Sequence, residues 1–190
     1  MSASAVGFYG SHRPEHILDE SSSKGDGFLT DVCAQWEKAA KPAEAVGIRV
    51  VQMRFGTVIG KGGALTKMLP IFRLGLGGPL GSGKQMMSWI ALPEIPEIIL
   101  DLIRNNSLRG PINMVSPQSV SNVEFTKALG QAIHRPTVFP VPAVGIQLLF
   151  GEMGKTLLLE GANVYPRRLG VAGYKFKYPD LKTALVAAVG

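Results

Sequence analysis

The sequence predicts an α/β fold, on three observations. Segments with apolar residues at three- and four-residue spacings alternate with short runs of aliphatic and β-branched residues. The composition, 46% apolar and 18% charged, is that of a globular chain. At 190 residues the chain can bury about 70% of its unfolded surface as one domain, with at most a small appendage. It contains no internal repeat and no low-complexity segment.

The elements follow in order. Ser2 to Val6 reads as the end of a buried strand, broken by Gly7 and Gly10. Ser11 to Gly27 is a polar loop. A helix runs from Phe28 to Ala40, with Phe28, Leu29, Val32, Trp36 and Ala40 as its apolar stripe and Pro42 ending or kinking it. Ile48 to Phe55 is a mostly buried strand, and Gly60 to Gly63 a loop. Ala64 to Leu74 is a helix bent at Pro70. Met86 to Ile90 is a short strand. Pro93 to Arg104 is a helix whose two prolines lie near its first turn, where they are tolerated. Gly110-Pro111 turns into a strand over Ile112 to Val115. Ser121-Asn122-Val123-Glu124 is a capping box that opens a helix to Ile133, stopped by Arg135-Pro136. The last third carries helices over 143–150, 155–160, Pro166 to Leu169 and Pro179 to Val189, with a strand over Tyr174 to Tyr178.

Between Phe72 and Gln85 the chain holds five glycines in nine residues, 75 to 83. Such density is kept where positive φ or close backbone approach is needed. The loop either lines a ligand cleft or packs compactly and binds nothing. It matches neither the phosphate-binding GxxxxGK[ST] pattern nor GxGxxG.

Charge and composition narrow the function. The net charge is +6 and the isoelectric point about 9.6, yet the basic residues are scattered. Their densest group is Arg167-Arg168 with Lys175 and Lys177, and no basic helix face is interleaved with aromatics. The excess suits a cleft for an anionic cofactor as well as it suits DNA; without a basic, aromatic-interleaved face, no nucleic-acid partner is expected. The single cysteine, Cys33, excludes an internal disulfide, and the HxxxH spacing of His12 and His16 is interrupted by Pro14, so no metal site is expected. No apolar run approaches the roughly 18 residues of a membrane span, and no charged-then-apolar leader opens the chain. A cytoplasmic protein without a membrane partner is expected.

A resemblance sharpens this reading. Ser2-Ala-Ser-Ala-Val-Gly-Phe-Tyr-Gly10, Arg54-Phe-Gly-Thr-Val-Ile-Gly60, Gly62-Gly-Ala-Leu65, Met68-Leu-Pro70, Leu74-Gly-Leu-Gly-Gly-Pro79, Gly81-Ser-Gly83 and Ser88-Trp-Ile90 resemble the atypical extended short-chain dehydrogenase/reductases called epimerase family proteins. Val141-Pro142, Leu148-Leu149, Gly151-Glu152, Leu158, Pro166 and Gly173-Tyr174 resemble their small C-terminal domain of unknown function. The resemblance implies the C-terminal part of a Rossmann-like, doubly wound parallel sheet over residues 1–135 and a small, mostly helical cap over 136–190. It further implies a chain that starts in mid-fold, with roughly 100 residues of nucleotide-binding half absent, at about 30 residues per βαβ unit.

The resemblance also implies roles. Ser4 matches the serine that polarises a substrate hydroxyl or carbonyl. The family's Tyr-xxx-Lys helix pair falls on Cys33 and Glu37, which removes the standard acid and its lysine. Glu37 can still accept bonds from cofactor ribose hydroxyls. Tyr9 is the alternative proton donor, or else a packed aromatic. Arg54, with Gly56, belongs to the cofactor side, Arg54 meeting a phosphate or carboxylate or forming a structural ion pair. Gly77, Gly78, Gln85 and Trp89 are placed on the substrate, although Trp89 also reads as a core residue. Where the family carries a His and one or two Asp after Ser88-Trp-Ile90, this chain has Ala91-Leu92-Pro93-Glu94. The implied function is the substrate side of an NADP-dependent epimerase/reductase-like protein, acting on a nucleotide-sugar or other carbonyl/hydroxyl substrate. NADP would be bound by the full-length parent and only weakly, or not at all, by this chain alone. The alternative is a non-catalytic nucleotide-sensing or protein-interaction module. Self-association through an exposed sheet edge is expected.

Overall fold

The structure, a computed structural model, describes residues 1–12, 14–144 and 159–190. In chain order it contains β1 (Ser2–Ala5), a 3-10 turn (Val6–Tyr9), β2 (Ile17–Leu18), α1 (Phe28–Ala45), β3 (Val51–Phe55), β4 (Thr57–Ile59), α2 (Gly63–Arg73), β5 (Met86–Met87) and β6 (Trp89–Ala91). These are followed by α3 (Glu94–Arg104), β7 (Gly110–Met114), β8 (Val120–Ser121), α4 (Asn122–Ala132), β9 (Asn163–Val164), α5 (Arg167–Val171) and α6 (Leu181–Val189). The class is α/β with parallel strands, as expected. The helices expected over 143–150 and 155–160 fall largely on 145–158, outside the described residues.

The main sheet has the order β1-β3-β7, all parallel. Its register places Ser4 opposite Arg54 and Arg54 opposite Asn113. One row below, Ser2, Gln52 and Pro111 are aligned in the same way. Side chains alternate across a pleated sheet, so the two faces differ sharply. On one face Val51, Met53, Ile112 and Met114 pack on Ile98 and Leu102 of α3. The other face carries the polar rows. After Gly56 the chain leaves this sheet and pairs as β4 with β6. Ile59, Trp89 and Ala91 there form a second core with Leu65 and Phe72 of α2, Phe125 and Leu129 of α4, and Leu181 and Leu185 of α6. The C-terminal helix therefore shares a core with elements more than 50 residues earlier in the chain.

Several expectations are corrected. Helix α1 continues through Pro42 to Ala45; the proline forfeits one bond, to the Lys38 carbonyl, on an exposed side where water replaces it. The apolar stripe of α1 is not its buried face. Phe28 is 76% and Trp36 57% exposed, while Thr30, Cys33 and Glu37 are buried. The helix lies on the polar face of the sheet and presents polar residues to it. The strand expected over Met86 to Ile90 is split at Ser88, whose hydroxyl donates to Ala162 O and accepts from Val164 N. Tyr174 to Tyr178 forms no strand, because the N–H groups of Lys177 and Tyr178 bond the Glu94 carboxylate instead of a neighbouring chain.

In the glycine loop, Gly75, Gly81 and Gly83 have φ of +73°, +57° and +67°. A Cβ on Gly78 would fall on the carbonyl of Phe139, and one on Gly83 would press into Val123. The loop is folded tightly against its own chain. Gly78→Ala should accordingly lose about 1–3 kcal/mol, the usual cost of overpacking, read as a lowered midpoint in urea with unchanged slope. A variant as stable as the parent would show that segment 138–142 does not sit on this loop.

Candidate active site

Ser4 sits near the carboxyl end of β1 and Arg54 near that of β3. In open parallel sheets this is the edge where ligands bind. Helix α1 lies above it and brings Cys33 and Glu37, one turn apart, to the same place. The Glu37 carboxylate takes a two-pronged ion pair from Arg54, Nε to Oε1 at 2.7 Å and Nη2 to Oε2 at 2.8 Å. The Ser4 hydroxyl donates to Oε1 at 2.9 Å. The remaining Arg54 nitrogen, Nη1, donates to the Tyr9 hydroxyl at 2.9 Å, and that hydroxyl donates to Asn113 Oδ1 at 2.8 Å. Asn113 Nδ2 in turn donates to Tyr165 O at 3.0 Å. The guanidinium also stacks on Phe8, 3.5 Å from the ring centroid, a cation–π contact.

Ser4, Tyr9, Glu37, Arg54 and Asn113 are all buried, Tyr9 and Asn113 completely. A carboxylate and a guanidinium out of water are tolerated only when paired and hydrogen-bonded, and here both conditions are met. Burial pushes the Tyr9 hydroxyl above its ordinary value, against the pull of Arg54. Burial also raises the Cys33 thiol, and the Glu37 charge adds to it. For Arg54, burial opposes the charge, but the bonds to Glu37 and Tyr9 outweigh it and the guanidinium is held more firmly protonated. At neutral pH the site is thus a fixed charge pair flanked by three uncharged proton carriers: Ser4, Tyr9 and Cys33.

Of the residues singled out in the sequence, Ser4, Tyr9, Glu37 and Arg54 meet here, and Gly56 follows directly on β3. A Cβ on Gly56 would strike Ser88 O, so glycine is needed where the two sheets diverge. Gly77 packs under the ring of Phe72 and Gly78 on Phe139. The Gln85 amide donates to Leu80 O at 3.1 Å. Trp89 is fully buried in the second core. Three participants escaped the sequence reading: Asn113, Phe8 and Glu20. Glu20 comes from the polar loop and accepts the Asn113 backbone N–H at 3.0 Å, closing the free edge of β7 at that point. For Asn113 a signal existed, since a lone amide between Ile112 and Met114 breaks an apolar strand.

A cleft of about 630 Å³ adjoins the network at Glu20 and is lined further by Ser21, Leu108, Pro111, Arg167 and Arg168. Among the described residues no cluster of His, Cys, Asp or Glu could hold a metal ion, and no helix is long and apolar enough to cross a membrane.

Comparison with known proteins gives three kinds of match. The family model described as "Domain of unknown function (DUF1731)" matches residues 141–188. An epimerase family protein of Mycobacterium bovis is 42% identical over 97% of this chain and 62% of its own length. The crystal structure of human epimerase family protein SDR39U1 (isoform 2) with NADPH is 36% identical and superposes with a TM-score of 0.90, over 98% of this chain and 63% of that one. The structure of a nucleoside-diphosphate sugar epimerase from Corynebacterium glutamicum is 34% identical, with a TM-score of 0.78 over 99% of this chain and 36% of its own. The chain thus spans about 62% of the length of the Mycobacterium bovis relative.

Proposed function

We propose, from the premise that this is an epimerase family chain of the NAD(P)-dependent epimerase/dehydratase type, that it forms the substrate and nicotinamide side of an NADP(H)-binding protein. The observation that carries this reading is the aligned row Ser4, Arg54 and Asn113 across three parallel strands, capped by Glu37 from α1. The polar face of the sheet carries these buried groups at the edge where such folds bind ligands. The donor set fits the sugar part of the cofactor. Glu37 Oε2 accepts one bond among the described residues and has a second lone pair for a ribose hydroxyl. Ser4 can turn its hydroxyl from Glu37 toward a substrate oxygen. Bound NADP(H) would supply the hydride. Arg54 fixes Glu37 in place, and Tyr9 and Asn113 fix Arg54. The substrate class is a nucleotide-sugar or other carbonyl/hydroxyl compound.

A second reading rests on its own observation. Tyr9 is committed at both its donor and acceptor positions, and Cys33 holds its proton. Neither is poised to deliver a proton as a tyrosine beside a lysine would be. The site would then bind the nucleotide without turnover, as a sensing module. Binding and turnover separate the two. Ligand-observed NMR with NADPH, and a panel of nucleotide-sugars and carbonyl compounds assayed at 340 nm, would be run on the parent and on Ser4→Ala. The glycine-rich turns before α1 and α2 match neither GxGxxG nor GxxxxGK[ST], so weak NADPH binding, above about 100 µM, is expected. Saturation transfer should reach the nicotinamide ribose and fall in Ser4→Ala. Turnover would establish the catalytic reading, and binding without turnover the sensing one. Low-micromolar binding would overturn the expectation of a missing phosphate grip. Transfer that is unchanged in Ser4→Ala would remove this site from the cofactor.

A further inference from the structure

We propose that the cleft beside β7 is a binding site for a small carboxylate with an apolar body, separate from the site around Ser4 and Glu37. The inference is independent of any cofactor. β7 is the edge of the main sheet opposite β1, two strand spacings, or roughly 10 Å, from the strand that carries Ser4. Stretches far apart in sequence close on the cleft: Glu20 from the polar loop, Leu108 and Pro111 around the start of β7, and Arg167, Arg168 and Val171 of α5. Its volume of about 630 Å³ suits a small organic molecule.

The occupant is not a further strand. The outward groups of β7 are already taken, Pro111 O by Arg168 Nη1 at 2.9 Å and the Asn113 N–H by Glu20 at 3.0 Å, so this edge offers no template for strand pairing. The two arginines are each anchored through one nitrogen. Arg167 Nη1 donates to Asp19 at 3.0 Å, and Arg168 Nη1 donates to Pro111 O and Arg109 O. Among the described residues, Nε and Nη2 of both guanidiniums have no acceptor. In Arg54 this same pair of nitrogens forks across the Glu37 carboxylate. An anchored guanidinium with that pair of donors open is preset for a planar, two-oxygen anion.

Charge and shape select the rest of the ligand. The lining holds two cations and one carboxylate, Glu20, and Asp19 already shares Arg167. That balance accepts a single negative charge, whereas a phosphate dianion would set excess charge against Glu20. Glu20 is fixed in place by the N–H groups of Asn113 and Arg168. Leu108, Pro111 and Val171 supply apolar wall, and Val171 is 83% exposed, ready to be covered by an apolar body.

Titration of the chain with phenylbutyrate, followed by NMR, should move the Val171 and Leu108 methyl signals and the Arg167 and Arg168 Nε–H signals together. One dissociation constant, in the millimolar range or below, should describe them all, as suits a ligand of about a dozen non-hydrogen atoms. Phenylbutanol, the same body without the charge, should bind at least about 10-fold more weakly, the worth of a hydrogen bond to a charged group. Inorganic phosphate should leave these signals in place. Arg167→Glu and Val171→Asp should each weaken phenylbutyrate at least about 10-fold. Both residues are exposed, so circular dichroism should not change. No shift at about 20 mM phenylbutyrate, beyond the range of a specific site for so small a ligand, would overturn the proposal. So would an equal response to phenylbutanol or to phosphate, or an affinity indifferent to either variant.

Discussion

Replacing Arg54 with methionine should cost this protein about 3–5 kcal/mol, the usual penalty for removing one partner of a buried ion pair. At about 2–4 °C per kcal/mol for a domain of this size, the melting temperature should fall by roughly 10 °C. The reason is specific. Glu37 takes both prongs of the guanidinium and would be left buried with only the Ser4 hydroxyl. Tyr9 would lose the donor that fills its acceptor side. Arg54→Lys should fall between the two, because an ammonium keeps the charge but cannot fork across a carboxylate. Arg54→Met combined with Glu37→Met should recover most of the loss, since an apolar pair of similar volume replaces a buried ion pair at little cost. The double-mutant cycle should therefore report a coupling of at least about 3 kcal/mol. Additive single effects would mean that the two side chains do not meet.

Glu94→Ala should cost a similar amount, about 3–5 kcal/mol, by a different route. Its carboxylate is buried and accepts the Tyr174 hydroxyl at 2.6 Å, the Tyr178 N–H at 3.0 Å and the Lys177 N–H at 3.1 Å. Without it, two backbone donors and a phenol lose their partner, at about 1–3 kcal/mol for each group left buried. Amide exchange at Lys177 and Tyr178 should rise well above that of α3, and protease should cut first between Tyr174 and Asp180. Protection that survives in the variant would show that the segment is held by something else. A pH dependence goes with this contact. Burial, then the bond to Glu94, raises the Tyr174 hydroxyl above its ordinary value. A raised folded value stabilises the protein fully below the unfolded value of about 10 and is lost as pH rises through the folded one. The parent should therefore weaken progressively above pH 10, and Glu94→Ala less steeply.

Glu94 also shows how a local reading can mislead. Set against the family pattern, Ala91-Leu92-Pro93-Glu94 reads as an acidic turn reduced to one carboxylate. In the fold that carboxylate is the anchor of a segment 80 residues away.

The sequence by itself determined the α/β class, the order of most elements and the Ser121–Glu124 capping box seen at the start of α4. Periodicity, capping residues and helix spacing act over a few residues, so they are legible in any short window. The tertiary structure decided which face of α1 turns inward. A 3.6-residue period reports two faces of a helix but not the chemistry of the surface beneath it, and that surface is polar only because register aligns Ser4, Arg54 and Asn113. It decided as well that the glycine loop packs on residues 139 and 123, and that Glu20 closes the edge of β7. Each of these depends on contacts between residues 30 to 150 positions apart, set by packing and cross-strand register, and no local pattern in the chain records them.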